Sequence, residues 1–132
     1  MKSTYYPTIE RVQEINLLVL SLVMVKKADE PKLLSASKLH EVISQCEELE
    51  GDVYDKAVIL LKGIIQKHPF ASGNRRTSFA VTKEFVLKNG EGFKIKYDRE
   101  EARVMQGIRE NYYTNEELKE WIKNGKIKSF KR

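Results

Sequence analysis

His68, Asn74, Arg75 and Arg76 fall close together in the stretch HPFASGNRRTSF, residues 68–79. An imidazole can take a proton from a hydroxyl near neutral pH. Arginines present forked, permanently charged donors that match phosphate oxygens. Between them, Ser72 and Gly73 are small enough to let the backbone approach an anion closely. An asparagine amide can orient either the base or the anion. A base, an anion cradle and an orienting amide are the parts that phosphoryl or nucleotidyl transfer needs. The same residue types also make an ordinary basic turn, in which a histidine before proline caps a helix and an Asn-Arg-Arg run is solvated. Composition and spacing leave both readings open.

What such a loop can do depends on the elements that hold it. Thr8 caps a first helix whose Ile9, Val12, Ile15, Val19 and Leu22 step by three and four, with an expected end near Asp29, before Pro31. Ser37 caps a second helix through Leu39, Val42, Ile43, Cys46 and Leu49, closed by Gly51. Asp52 opens a third, bearing Ala57, Leu60, Leu61, Ile64 and Ile65. It stops at His68, because Pro69 disfavours helical geometry there. A fourth begins at Asn74 or Arg75 and runs to the Asn89-Gly90 stop. FKIKY at 93–97 alternates but is too short for more than an isolated extended segment. Asp98, with Glu101 three residues on, opens a fifth helix. Thr114 and Glu117 have capping-box spacing for a sixth, with Leu118, Trp121 and Ile122 on its apolar face. The sum is an all-α domain. The free N–H groups and positive dipole end of the fourth helix then point out of the loop at 68–76.

A length of 132 residues fits one domain, and 41% apolar with 33% charged residues describes a globular chain. A lone cysteine, Cys46, rules out an intramolecular disulfide framework; it lies on an apolar stripe and reads as a small core residue. With no leader-like N-terminus, a reducing cytoplasm is the expected location. The longest apolar run, LLVLSLVMV at 17–25, is short of the roughly 20 residues a membrane span requires. It reads as a buried helix. The net charge of +5 permits an acidic partner, but the charge is spread along the chain. Only the tail KNGKIKSFKR, from about residue 125 onward, is conspicuously basic. It reads as a solvated end, and no nucleic-acid-binding motif accompanies it. Two histidines and one cysteine leave no zinc site.

The segment HPFASGNRRT resembles the active-site signature of the Fic/Doc family: His-Pro-Phe, any residue, Asp or Glu, Gly or Ala, Asn, Gly or Lys, Arg. His68, Pro69, Phe70, Gly73, Asn74 and Arg76 match it. LLSASKLHEVISQ at 33–45 and YDREEARVMQGIRENYYTNEELKEWIKN at 97–124 resemble further segments of Doc-like members. The resemblance implies a compact single-domain helical bundle with the active-site loop between two central helices. It implies ATP as donor, with His68 assisting the attack of a target protein's hydroxyl. Ser72, Gly73, Asn74, Arg75, Arg76 and the loop amides would bind the phosphates, with Pro69 and Phe70 supporting the loop.

Arg75 stands where adenylylating members carry Gly and Doc-like members usually carry Lys. Phe79 stands where adenylylating members carry a second Arg. The pattern implies Doc-like protein phosphotransfer, on a target such as a translation factor, by a toxin restrained by a separate antitoxin. The family's self-inhibitory pattern is approached only by Ser44 and Glu48, and Leu49 breaks it. Ser72 stands where the family carries the acid that holds Mg²⁺, and a neutral hydroxyl is a poorer ligand for a hard cation. No residue is assigned as a metal ligand, and Mg²⁺ is in doubt. A second reading follows: a catalytically impaired Fic-fold module that binds nucleotide or protein without turnover.

Overall fold

A helix buried over much of its circumference has to be enclosed by others, and two in this chain are. In the computed structural model, which describes residues 3–22 and 31–131, α3 (Val53–Lys67) and α4 (Asn74–Lys88) pack against each other at the centre. Around them lie α1 (Ile9–Leu22), α2 (Ala36–Glu48), α5 (Arg99–Arg109) and α6 (Asn115–Asn124). The described residues contain no strand, only one isolated antiparallel bridge between Leu33 and Phe70. The all-α architecture expected from the periodicity is the one observed.

Small residues set the central packing. Ser78 is fully buried on α4, and its hydroxyl donates to the Leu61 carbonyl of α3 at 2.7 Å. A Cβ on Gly63 would come within 2.7 Å of Val42, so α2 and α3 meet only because that position has no side chain. Arg11 of α1 reaches Glu84 of α4 at 2.7 Å, and the same carboxylate accepts from Tyr5 Oη at 3.2 Å. Buried Lys56 donates to the carbonyls of Cys46, Glu47 and Leu49, and so satisfies the C-terminal end of α2 from α3. Cys46 is fully buried, and burial raises its thiol pKa to about 12.

Five of the six described helix starts are those expected: Thr8 accepts from the Arg11 amide before α1, and α4 begins at Asn74. Asp52 and Asp55 form a reciprocal capping box, Thr114 and Glu117 form another, and Asp98 accepts from the Glu101 amide. The second helix starts earlier than expected. Its cap is Ser35, not Ser37, because the Leu34 and Ser35 amides both donate to the Pro69 carbonyl and bring the chain into the helix two residues sooner. The expected continuation of α1 toward Asp29 falls on residues 23–30, outside the described residues.

Two further expectations are corrected. The apolar run from residue 17 is helical over its described part but not buried: Leu17, Leu18 and Leu22 are 53%, 52% and 83% exposed. Only Leu20 of that part is buried; among the described elements, α4 and α2 are the ones that pack on α1. The basic tail is anchored, not merely solvated. Phe130 is buried over Gly107, Arg103 donates to the Phe130 carbonyl, and Tyr113 Oη donates to that of Lys128. The segment at 93–97 joins no ladder. It is held by the Lys94 amide on the Ile122 carbonyl at 3.0 Å. No helix among the described residues is long and apolar enough to cross a membrane.

Candidate anion-binding site

The chain leaves α3 through His68, whose φ of 52° lies in the left-handed region that glycine usually fills at a helix end. A non-glycine residue there is strained by roughly 1 kcal/mol. The strain is tolerated because the His68 amide still reaches the Ile64 carbonyl at 3.2 Å and Pro69 is buried. Phe70 is almost fully buried and ties the loop to the 32–35 segment through the Leu33 bridge.

Asn74 fixes the turn that follows. Its Oδ1 accepts from the Phe70 amide at 3.0 Å and its Nδ2 donates to the Phe70 carbonyl at 2.9 Å. The amide group expected to contact phosphate is therefore engaged in holding the loop closed. A second residue, which the loop sequence does not reveal, braces it from α1. Asn16 is buried, and its Nδ2 donates to the Ser72 carbonyl and to Thr77 Oγ1, both at 3.0 Å. Gly73 then takes φ 76° beneath α1, where a Cβ would lie 3.0 Å from Leu20.

The outcome is a helix start left open. Gly73 is the N-cap of α4, no side chain caps it, and no acid occupies its first turn. The first amides of α4 and its positive dipole end are available to an anion. They open on a cavity of about 340 Å³ that brings together His68, Ser72, Gly73, Asn74, Arg75 and Arg76, with Val19, Leu20, Ile65 and Ala71 as its other near walls. Arg109, from the far end of α5, completes the lining. No expected site residue of the loop is elsewhere, save that Pro69 and Phe70 lie behind it as support.

The electrostatics suit a base. Partial burial, then the charges of Arg109 and Lys38, hold the His68 imidazole below its ordinary value of 6.5. It is therefore neutral at physiological pH and free to accept a proton. Arg76 stacks over the Tyr97 ring at 5.9 Å, which restricts where its guanidinium can go. Behind the arginines, Glu101 is 8% exposed and its pKa is raised to about 7, chiefly by burial against the opposing pull of Arg75 and Arg76.

The described residues do not fit a divalent metal. No carboxylate is among the described residues lining the cavity, and no cluster of metal-ligating side chains occurs among the described residues. A hard cation such as Mg²⁺ takes anionic oxygens, and here the wall is cationic.

A helical domain whose central pair is joined by a histidine-arginine loop at an open helix start defines the class. The Fic/DOC family model matches residues 7–86, from the segment before α1 through most of α4 and across the whole loop. The chain belongs to the Fic/DOC family. No curated protein matches it at a significant level.

Proposed function

We propose that this protein is a Doc-like phosphotransferase that moves the terminal phosphoryl group of ATP to a hydroxyl of a target protein. The observation that carries the reading is the convergence on one cavity of a neutral histidine, an open helix start and the loop arginines. The target oxygen would attack the γ-phosphorus as the bond to the β-phosphate's bridging oxygen breaks. His68 would take the hydroxyl proton, and ADP would leave with the displaced charge. Arg75, Arg76 and the α4 amides would hold the phosphates in line and stabilise the charge that shifts toward the leaving group. Arg75 in place of a small glycine, and Phe79 in place of a second loop arginine, support phosphoryl over adenylyl transfer.

A second reading has its own support. Ser72 removes the family's acidic ligand, and a cavity without carboxylates among its described lining suits binding without turnover. Incubating the protein with a cell extract and ATP labelled at either the γ or the α phosphate separates the cases. Gamma label on a protein supports phosphotransfer. Alpha label replaces it with adenylylation, and no label with ATP still bound favours the binding module.

Restraint is proposed to come from a separate protein. Glu48 sits at the end of α2 that Lys56 holds, beside the start of α3. His68 lies at the other end of α3, roughly 20 Å away by helix rise. Glu48→Ala should leave the initial rate of label transfer unchanged, and a large increase would show that Glu48 restrains the site after all.

A further inference from the structure

We propose that Arg109 is the third cation of the phosphate site, and that the site takes a nucleoside triphosphate free of divalent metal. This rests on the reading that the cavity binds a polyphosphate, and it follows from what lines that cavity. Arg75 and Arg76 come from the first turn of α4, while Arg109 is the last residue of α5. All three line the cavity with His68, and no carboxylate is among its described lining residues.

Arg109 is brought there by the fold and not by the loop. Gln66, two residues before His68, donates from Nε2 to the Ile108 carbonyl at 2.9 Å and to Asn111 Oδ1 at 3.3 Å. These bonds bracket Arg109 on both sides and pin the end of α5 against the end of α3. Asn111 takes φ 57°, and the Tyr112 amide turns back to the Gly107 carbonyl at 2.9 Å, closing the helix at that place. Arg109 itself makes no hydrogen bond or ion pair with another described residue, so its forked donors are available to a ligand. Its charge, after partial burial, helps hold the His68 imidazole below its ordinary value. The bland account, a cation favoured at a helix C-terminus and left in solvent, explains the residue type but not its place in this cavity.

The charge balance then decides the form of the ligand. In a metal-assisted site, acids hold the cation and the cation meets the phosphates. Here the described walls supply positive charge directly, from three guanidinium groups and the open start of α4. Mg²⁺ on the nucleotide would cancel much of the charge these groups are placed to meet. It would also sit among cations with no carboxylate from the described walls to ligate it.

The test is equilibrium binding of ATP by calorimetry, in EDTA and in excess Mg²⁺, for the wild type, Arg109→Gln, Arg109→Lys and Ser72→Asp. Thermal melts check that each variant folds. The wild type should bind ATP several-fold more tightly in EDTA than in Mg²⁺. Arg109→Gln should weaken metal-free binding by roughly tenfold, and Arg109→Lys should recover part of the loss. Ser72→Asp should reverse the preference in favour of Mg²⁺. Binding that requires Mg²⁺ in the wild type, or equal metal-free affinity in Arg109→Gln, overturns the proposal. If the expected binding pattern holds but no label is transferred to any protein, the phosphotransferase reading fails and this inference stands. If label transfer occurs with Mg²⁺-dependent binding, the inference fails and the phosphotransferase reading stands.

Discussion

At the start of α6, Thr114 and Glu117 exchange side-chain and backbone hydrogen bonds, and Glu116 and Glu117 complement the helix dipole. At the start of α4, a glycine in the left-handed region gives no side-chain cap, and Arg75 and Arg76 face the dipole with like charge. The first arrangement stabilises its helix; the second forgoes roughly 1–2 kcal/mol of the same kind of stabilisation. Burial of α4 among its neighbours makes the loss tolerable. A local rule broken where the tertiary packing can absorb it is what a binding site looks like in sequence. His68 follows the same pattern, a strained backbone at a position where glycine would relax it.

The largest expected effect lies on the open side of this comparison. His68→Ala should reduce phosphoryl transfer by about 10²–10⁴-fold while ATP still binds. Because the imidazole pKa is held below 6.5, the wild-type rate should decline only at pH values below that, where the base becomes protonated. A rate-against-pH profile for the two proteins checks both points.

Asn74→Ala should come next. It leaves the buried Phe70 amide and carbonyl without partners and should cost about 2–4 kcal/mol of unfolding free energy, measured by denaturant titration. A cost as small as an ordinary surface change would mean that Asn74 is not what holds the loop.

Glu101 is a buried acid that feels the charges of Arg75 and Arg76 and should respond to pH. Its folded-state pKa, about 7, lies above its ordinary 4.5, so the native state binds the proton more tightly than the unfolded chain does. Its contribution is fully present below about 4.5 and is lost as pH rises through 7. Glu101→Gln should therefore flatten that decline and raise stability by about 1–3 kcal/mol at pH 8, with little change at pH 4.5. Thermal unfolding across that range checks the sign.

The smallest effect sharpens the contrast itself. Thr114→Ala should lose about 1 kcal/mol of stability and leave ATP affinity unchanged. Arg76→Ala should lose ATP affinity with no loss of stability. Paired melts and binding curves on the two variants would dissolve the distinction if both behaved alike.

Local chemistry explains what could be read from the chain beforehand. Asp52, Asp98 and Thr114 cap their helices through residues three positions away, and the loop announces itself through Pro69 and Gly73. What could not be read depends on distant parts of the chain. Ser35 displaces Ser37 as a cap because Pro69 pairs with it, and Asn16 reaches the loop from α1. Phe130 finds Gly107 from the tail; a glycine inside an otherwise amphipathic helix was the signal for it. In sequence Arg109 is one more basic residue at a helix end; Gln66, by holding the end of α5, brings it into the cavity that His68 lines. Leu17, Leu18 and Leu22 misled because an apolar helix face is buried only if a neighbour covers it.

If the open start of α4 is an anion site and the capped start of α6 is not, ATP should tell them apart. Titrating ATP into isotope-labelled protein and following backbone amide resonances tests it at both places in one experiment. Large, saturable shifts are expected at Asn74, Arg75 and Arg76, with none at Glu116 and Glu117. Saturable ATP binding that leaves the amides of residues 74–76 unmoved would contradict it.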